Sequence, residues 1–282
     1  MAGSVGTWQG MAVMSTLPAA EAAYLTVVVD RLRAVFGEAL LGVYPTGSLA
    51  LHGYTPGRSD LDLIAVVERA DAPVLADVAA RLSHDALPCP ATGLEFVLYE
   101  RAAVAVAGTG AGFALNLNTG RELPPRVSFG PDGDESFWYP IDRSISRQQG
   151  VALLGPPPAT LLAPVPFEAL MSVVIESIDA RLRAAGLDLG DNAVLNACRS
   201  LRFAVEGRWY AKRLAAEWAV REAPEFGTLI HRALDSYGRG RAAGTAVGGA
   251  ELRAFLGFVL DRLRRHQPAA GHPPTRHPAS AH

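Results

Sequence analysis

Three short groups of residues in this chain have the types and spacing to handle a metal-bound phosphate. Gly47-Ser48 follows the apolar run Leu40-Leu41-Gly42-Val43-Tyr44, Ser59-Asp60-Leu61-Asp62 leads into Leu63-Ile64-Ala65-Val66-Val67, and Glu95 stands near the start of Leu94–Tyr99. In an extended strand, residues i and i+2 point the same way, so Asp60 and Asp62 are expected side by side on one face. Two carboxylates that close raise each other's pKa, and a divalent cation between them removes the penalty. Mg²⁺ suits such a pair, because it takes a few carboxylate oxygens and completes its shell with water and substrate phosphate. Gly47 lets the backbone approach a phosphate closely. The Ser48 hydroxyl and the amides after it can donate to that phosphate if a helix begins there.

A D-x-D pair alone is common as a solvated strand edge, and Gly-Ser alone carries little. What carries the reading is their order: a strand, Gly-Ser, a short connection with Gly53, Pro56 and Gly57, then D-x-D entering a second strand. Glu95 is out of keeping with a buried strand and is read as the third acid of the site. The rival, Glu100, lies five positions on and faces the other side.

These residues need elements to hold them. Apolar residues at helical spacing (Ala23, Val27, Leu32, Val35) predict a helix over Glu21–Phe36, and another is predicted over Asp71–Ala86. Strands are expected at Leu40–Tyr44, Asp60–Val67 and Leu94–Tyr99, the last continuing weakly to Val106. Gly108–Gly112 has the look of a dinucleotide loop, but no long helix follows it, and a flexible loop over the site is expected. A boundary falls at Gly155-Pro-Pro-Pro158. Beyond it the pattern is helical: Pro166–Ala185, Asp191–Glu206, Ala211–Arg221, Phe226–Tyr237 and Ala250–Arg265. The expected organisation is a loose arm over 1–18, a first domain over 19–155, a helical domain over 156–265, and a disordered His- and Pro-rich tail over 266–282.

Composition narrows the partners. The 282 residues are 49% hydrophobic and 19% charged, with a formal charge of -2. That balance argues against broad nucleic-acid binding and favours a small acceptor. Cys89 and Cys198 lack the spacing of a zinc site or a disulfide framework. No run approaches the roughly 18 apolar residues of a membrane span, and residues 1–18 lack the basic start of a signal peptide. A cytoplasmic monomer without membrane contact is expected. Lys212 is the one lysine among 26 basic residues.

The motifs G-S, a gap, D-x-D and a third carboxylate on a later strand resemble the nucleotidyltransferase superfamily of the DNA polymerase β type. Asn192-Ala-Val-Leu-Asn-Ala-Cys-Arg199, Gly207 and Ala211-Lys212-Arg-Leu-Ala-Ala-Glu-Trp218-Ala219 look like the C-terminal domain of streptomycin/spectinomycin adenylyltransferases, and Val151–Gly155 with Pro164-Val-Pro166 is similar to that family's inter-domain segment. The resemblance spans about residues 20 to 265. It implies an α+β protein, with a mixed sheet flanked by helices in the nucleotidyltransferase domain and a C-terminal helical bundle.

It further implies that Gly47, Ser48 and Ser59 hold the nucleotide, that Asp60 and Asp62 bind Mg²⁺, and that Glu95 is the catalytic base. Arg199, Lys212 and Tyr237 would contact ATP from the helical domain. The implied reaction is transfer of AMP from ATP to a hydroxyl of a small cationic aminocyclitol. This chain departs from the pattern where Pro45-Thr46 replace a Tyr, where Leu115 stands in place of a loop tryptophan, and where no tryptophan falls between Trp138 and Trp209; Asp188 or Asp191 could fill the acidic role there. Those departures favour spectinomycin over streptomycin. Two alternatives stay open: an enzyme of this superfamily acting on another small molecule, a protein or RNA, and a catalytically silent nucleotide-binding regulator.

Overall fold

The computed structural model describes residues 14–131, 137–184, 190–239 and 247–266. Most of the expected arm, the tail beyond His266, and Asp188 lie outside the described residues.

The first half is built on a five-stranded sheet in the order β1-β2-β3-β4-β5. Its strands are β1 Leu40–Pro45, β2 Leu61–Val67, β3 Leu94–Glu100, β4 Phe113–Thr119 and β5 Arg126–Ser128. All neighbours are antiparallel except β2 and β3. A parallel pair needs a crossover, and helix α2 (Ala72–Leu82) lies within it. Its N-terminal Pro73 is compatible with a first turn whose N–H groups have no intrahelical partner.

β2 is almost wholly apolar because both its faces are covered. Leu61, Leu63, Ala65 and Val67 pack with α1 (Ala19–Phe36) and α2 through Leu25, Val28, Leu32, Val78 and Leu82. Ile64 and Val66 join Tyr44, Tyr99 and Phe113 on the opposite face. There the sheet meets α3 (Trp138–Gln149), anchored by the Ser146 hydroxyl donating to Pro45 O at 2.9 Å and Thr46 Oγ1 donating to Asp142 O at 2.9 Å.

The Gly155–Pro158 segment returns to β1. Val43 bridges Leu154, and Tyr44 OH donates to Pro156 O at 3.0 Å. Gly155 is required at this return: its φ is +88°, and a Cβ would lie 2.2 Å from Leu41 O.

The second half is helical: α4 Phe167–Arg183, α5 Gly190–Glu206, α6 Lys212–Glu222, α7 Gly227–Gly238 and α8 Gly249–His266. α5 is central and touches each of the other four. Its Val194, Leu195, Cys198 and Leu201 are buried with Val174, Ala215, Ala219, Ile230, Phe255 and Val259. Both cysteines are free and buried, and burial pushes the Cys89 thiol up to about 11.

Three local expectations change. The weak continuation of β3 toward Val106 is a helical turn at Arg101–Val104. Phe113–Thr119 is a strand paired with β3. The Gly108–Gly112 loop is tied down by a buried guanidinium: Arg143 donates to the carbonyls of Ala111 (2.9 Å), Gly110 (2.8 Å) and Gly108 (3.2 Å).

Candidate active site

The sheet sets the site through one transverse row. Thr46 N donates to Asp62 O at 2.9 Å, Asp62 pairs with Glu95, Glu95 with Asn118, and Asn118 with Arg126. Directly paired residues share a face, and strands are about 4.8 Å apart, so Asp62 and Glu95 stand as neighbours. Asp60 precedes β2 by one residue, and its carboxylate accepts a short hydrogen bond from Thr92 Oγ1. Glu100 is at the far end of β3 and accepts from Ala70 N at 3.0 Å, well away from this row.

Gly47 opens a single helical turn, Gly47–Ala50, immediately beyond β1. With φ +52° and an ideal Cβ position 2.1 Å from Asp62 Oδ2, this position accepts no side chain. Next to it, Ser48 Oγ is buried without a hydrogen-bond partner among the described residues. Such orphans are rare, and a ligand oxygen is a natural partner.

The helical half supplies the opposite wall. Lys212 Nζ donates to Asn192 Oδ1 at 2.7 Å and to Tyr237 OH at 3.4 Å, and lies 4.6 Å from the centre of the Tyr237 ring. Tyr237 OH also lies 3.4 Å from Ser59 Oγ. Arg199 donates weakly to Asn196 Oδ1 at 3.4 Å, while its Nε is buried without a partner among the described residues. Gly53 makes the junction close, since a Cβ there would lie 2.9 Å from Ala211 Cβ.

Between the walls is a cleft of about 470 Å³, lined by Gly47, Ser48, Ser59, Asp60, Asp62, Glu95, Arg199, Lys212 and Tyr237 together with residues from β4, α3 and α4. The fold thus gathers into one place all nine positions singled out in the sequence.

The electrostatics divide by wall. Burial, Glu95, Asp60 and Asp142 all push the Asp62 carboxyl well above the usual range, against a pull from Lys212. Asp142 is pushed up to about 7 by burial, offset in part by Arg199 and Arg143. Opposite, burial and Arg199 push Lys212 down to about 7. Burial also lowers Arg199, against the pull of Asp142, Tyr237 and Asp62. Asp60, Asp62 and Glu95 stand on the sheet wall, and Arg199 and Lys212 on the helical wall. A divalent cation fits the acids and a polyphosphate fits the cations. Among the described residues, no three acidic, His or Cys side chains are already closed into a metal cage. An open pair of carboxylates is what Mg²⁺ uses when phosphate and water complete its shell.

Two further features of the cleft were not singled out in the sequence. Asp142 lines the cleft from α3. Asn116 and Asn118 face it from β4. Asp191, a candidate for the acceptor's acidic contact, is instead held by Arg58, whose Nη2 lies 2.9 and 3.0 Å from its two oxygens.

Residues 160–262 match the family described as aminoglycoside adenylyltransferase, C-terminal domain. No curated protein matches the chain. Among solved structures, it is similar to spectinomycin adenyltransferase AAD(9) from Enterococcus faecialis, determined with ATP and spectinomycin; the TM-score is 0.63 at 17% identity, over 86% of this chain and 98% of that one. At that identity the likeness speaks for the fold.

Proposed function

We propose, from the match of residues 160–262 to the aminoglycoside adenylyltransferase C-terminal domain and from the geometry of the cleft, that the chain transfers AMP from ATP to a hydroxyl of an aminocyclitol, with spectinomycin preferred to streptomycin. The observation that carries this reading is the pairing of Asp62 with Glu95 on the sheet wall, across one cleft from Arg199 and Lys212.

In this reading Asp60 and Asp62 hold Mg²⁺, which when bound supplies positive charge to the phosphates. Gly47 and Ser48 receive the triphosphate, and the orphan Ser48 hydroxyl is its donor. Arg199 and Lys212 balance the negative charge that accumulates on the leaving pyrophosphate, with Tyr237 holding the Lys212 ammonium in place. Glu95 takes the proton from the acceptor hydroxyl. The freed oxygen attacks the α-phosphorus, the bond to the β-phosphate oxygen breaks, and pyrophosphate leaves. The 19–155 unit thereby acts on the metal and phosphates, and the 156–265 unit closes over them.

The tryptophans of the cleft support the acceptor preference. Arg181 lies 4.6 Å over the Trp138 ring, and Trp209 is stacked on Phe203 at 4.0 Å and donates to Ser144 Oγ at 3.0 Å. The guanidinium groups of streptomycin would meet a Trp138 ring that Arg181 already occupies on one face. Spectinomycin, whose amines are smaller, avoids that competition. The reaction needs no nucleic acid or membrane, and we assign it to a cytoplasmic monomer; among the described residues no helix is long and apolar enough to cross a membrane.

The test is transfer of label from [α-³²P]ATP to spectinomycin with release of pyrophosphate, in the presence and absence of Mg²⁺. Glu95→Gln should lower turnover by about 10²- to 10⁴-fold while retaining ATP binding. Full activity in that variant, or no labelled product from the unaltered protein, would overturn the reading.

A further inference from the structure

The two β4 asparagines extend the transverse order of the site beyond the base. Read from the β1 side, the row runs Thr46, Asp62, Glu95, Asn118, Arg126. The phosphate-facing residues occupy its first part, and the base stands at the middle. An acceptor that gives its proton to Glu95 must therefore lie on the remaining side, over Asn118.

Asn116 is on the same face two residues along the strand, about 6.8 Å away. It belongs to a second row, with Tyr44, Ile64 and Val97 on the preceding strands. Those three are hydrophobic, and Asn116 is only 6% exposed. A carboxamide in such a row costs stability unless it is hydrogen-bonded. Both asparagines line the cleft, and no hydrogen bond joins either carboxamide to another described residue.

We propose that Asn116 and Asn118 form the acceptor-recognition strip, and that they select a polyhydroxylated ring whose reacting hydroxyl is flanked by further hydroxyl or ether oxygens. A carboxamide offers two donors and an acceptor oxygen with two lone pairs, so it meets a hydroxyl in either sense. It carries no charge and gives no preference to an ammonium. The strip thus reads the oxygens of the acceptor, while its amines are left to the carboxylates, of which Asp142 is the one with no part in metal binding or proton removal. Two asparagines at this spacing reach two oxygens of one six-membered ring. This inference rests on the proposed AMP transfer and adds which atoms of the acceptor are read.

Steady-state kinetics of AMP transfer to spectinomycin tests it, with acceptor and ATP varied separately. The variants are Asn118→Ala, Asn118→Ser and Asn116→Leu, each checked by circular dichroism. Asn116→Leu places an apolar side chain in an apolar row, and Asn118→Ser keeps a small polar one, so folding does not decide the result. Each variant should raise the KM for spectinomycin about five- to tenfold and leave the KM for ATP within about twofold. Unchanged acceptor KM in all three, or an equal rise in the ATP KM, would overturn the strip while transfer by the unaltered protein upholds the broader reading. No transfer by the unaltered protein would overturn both.

Discussion

Arg58 and Asp191, 133 positions apart, form a buried ion pair between the segment that leads to Asp60 and the start of α5, with 5% and 2% of their side chains exposed. Ser236 Oγ and the Asn192 amide also donate to Asp191, and the Arg58 guanidinium lies 4.7 Å over the Tyr237 ring. The pair joins the two walls of the cleft at the point where Ser59, Tyr237 and Lys212 meet.

Breaking such a pair strands a buried charge. Arg58→Ala and Asp191→Ala should each lose about 3–5 kcal/mol in urea unfolding, whereas the Arg58→Met/Asp191→Leu double variant should recover most of that loss. Additive losses in the double variant would show that the two side chains do not act as a pair.

Gly47→Ala tests the close approach to Asp62. The added methyl would push Asp62 out of position as well as strain a left-handed backbone. Turnover should fall about 10²-fold, since shifts on the order of 1 Å cost that much. Near-wild-type turnover would mean that the Gly47–Asp62 contact is not required.

Nucleotide binding should depend on pH through Lys212. Its pKa of about 7 lies below the usual lysine value because of burial and Arg199. Above pH 7 the free protein has lost this proton, and a polyphosphate that requires the charged amine must restore it. Affinity for a non-hydrolysable ATP analogue should therefore fall as pH rises above 7, by at most about tenfold per unit. Calorimetry at pH 8 should show proton uptake on binding, and Lys212→Met should abolish it. Equal uptake in that variant would assign the proton elsewhere.

Arg143 should govern the Gly108–Gly112 loop. Arg143→Met removes donors from three carbonyls and should cost about 3 kcal/mol, with faster amide exchange across 108–112 and little change in β2. Unaltered exchange there would show that the loop holds its shape without the clamp.

Much of the fold was legible because its signals are local. Apolar spacing placed α1 and the bundle helices within a few residues of their observed ends, and strand alternation placed Asp60 and Asp62 at the entrance to β2. β4 and α3 were not legible. Asn116 and Asn118 break the apolar character of β4 on its cleft face, and α3 with its N-cap has only a short apolar stripe, Phe137, Ile141 and Ile145, with Arg143, Ser144 and Ser146 also buried. Both elements depart from the usual pattern because they line the cleft.

By itself the sequence determined which residues of the two halves line the cleft, their order, and the two kinds of structure that carry them, since each motif spans a few positions whose directions follow from backbone geometry. The tertiary structure alone decided that Asp62, Glu95, Asn118 and Arg126 form one row, that Asp142 joins the acids in the cleft lining, and that Arg58 and Asp191 form a buried pair. Those relations depend on strand register and on how a helical bundle docks on a sheet, and pairings across tens of residues leave no periodic trace in the chain.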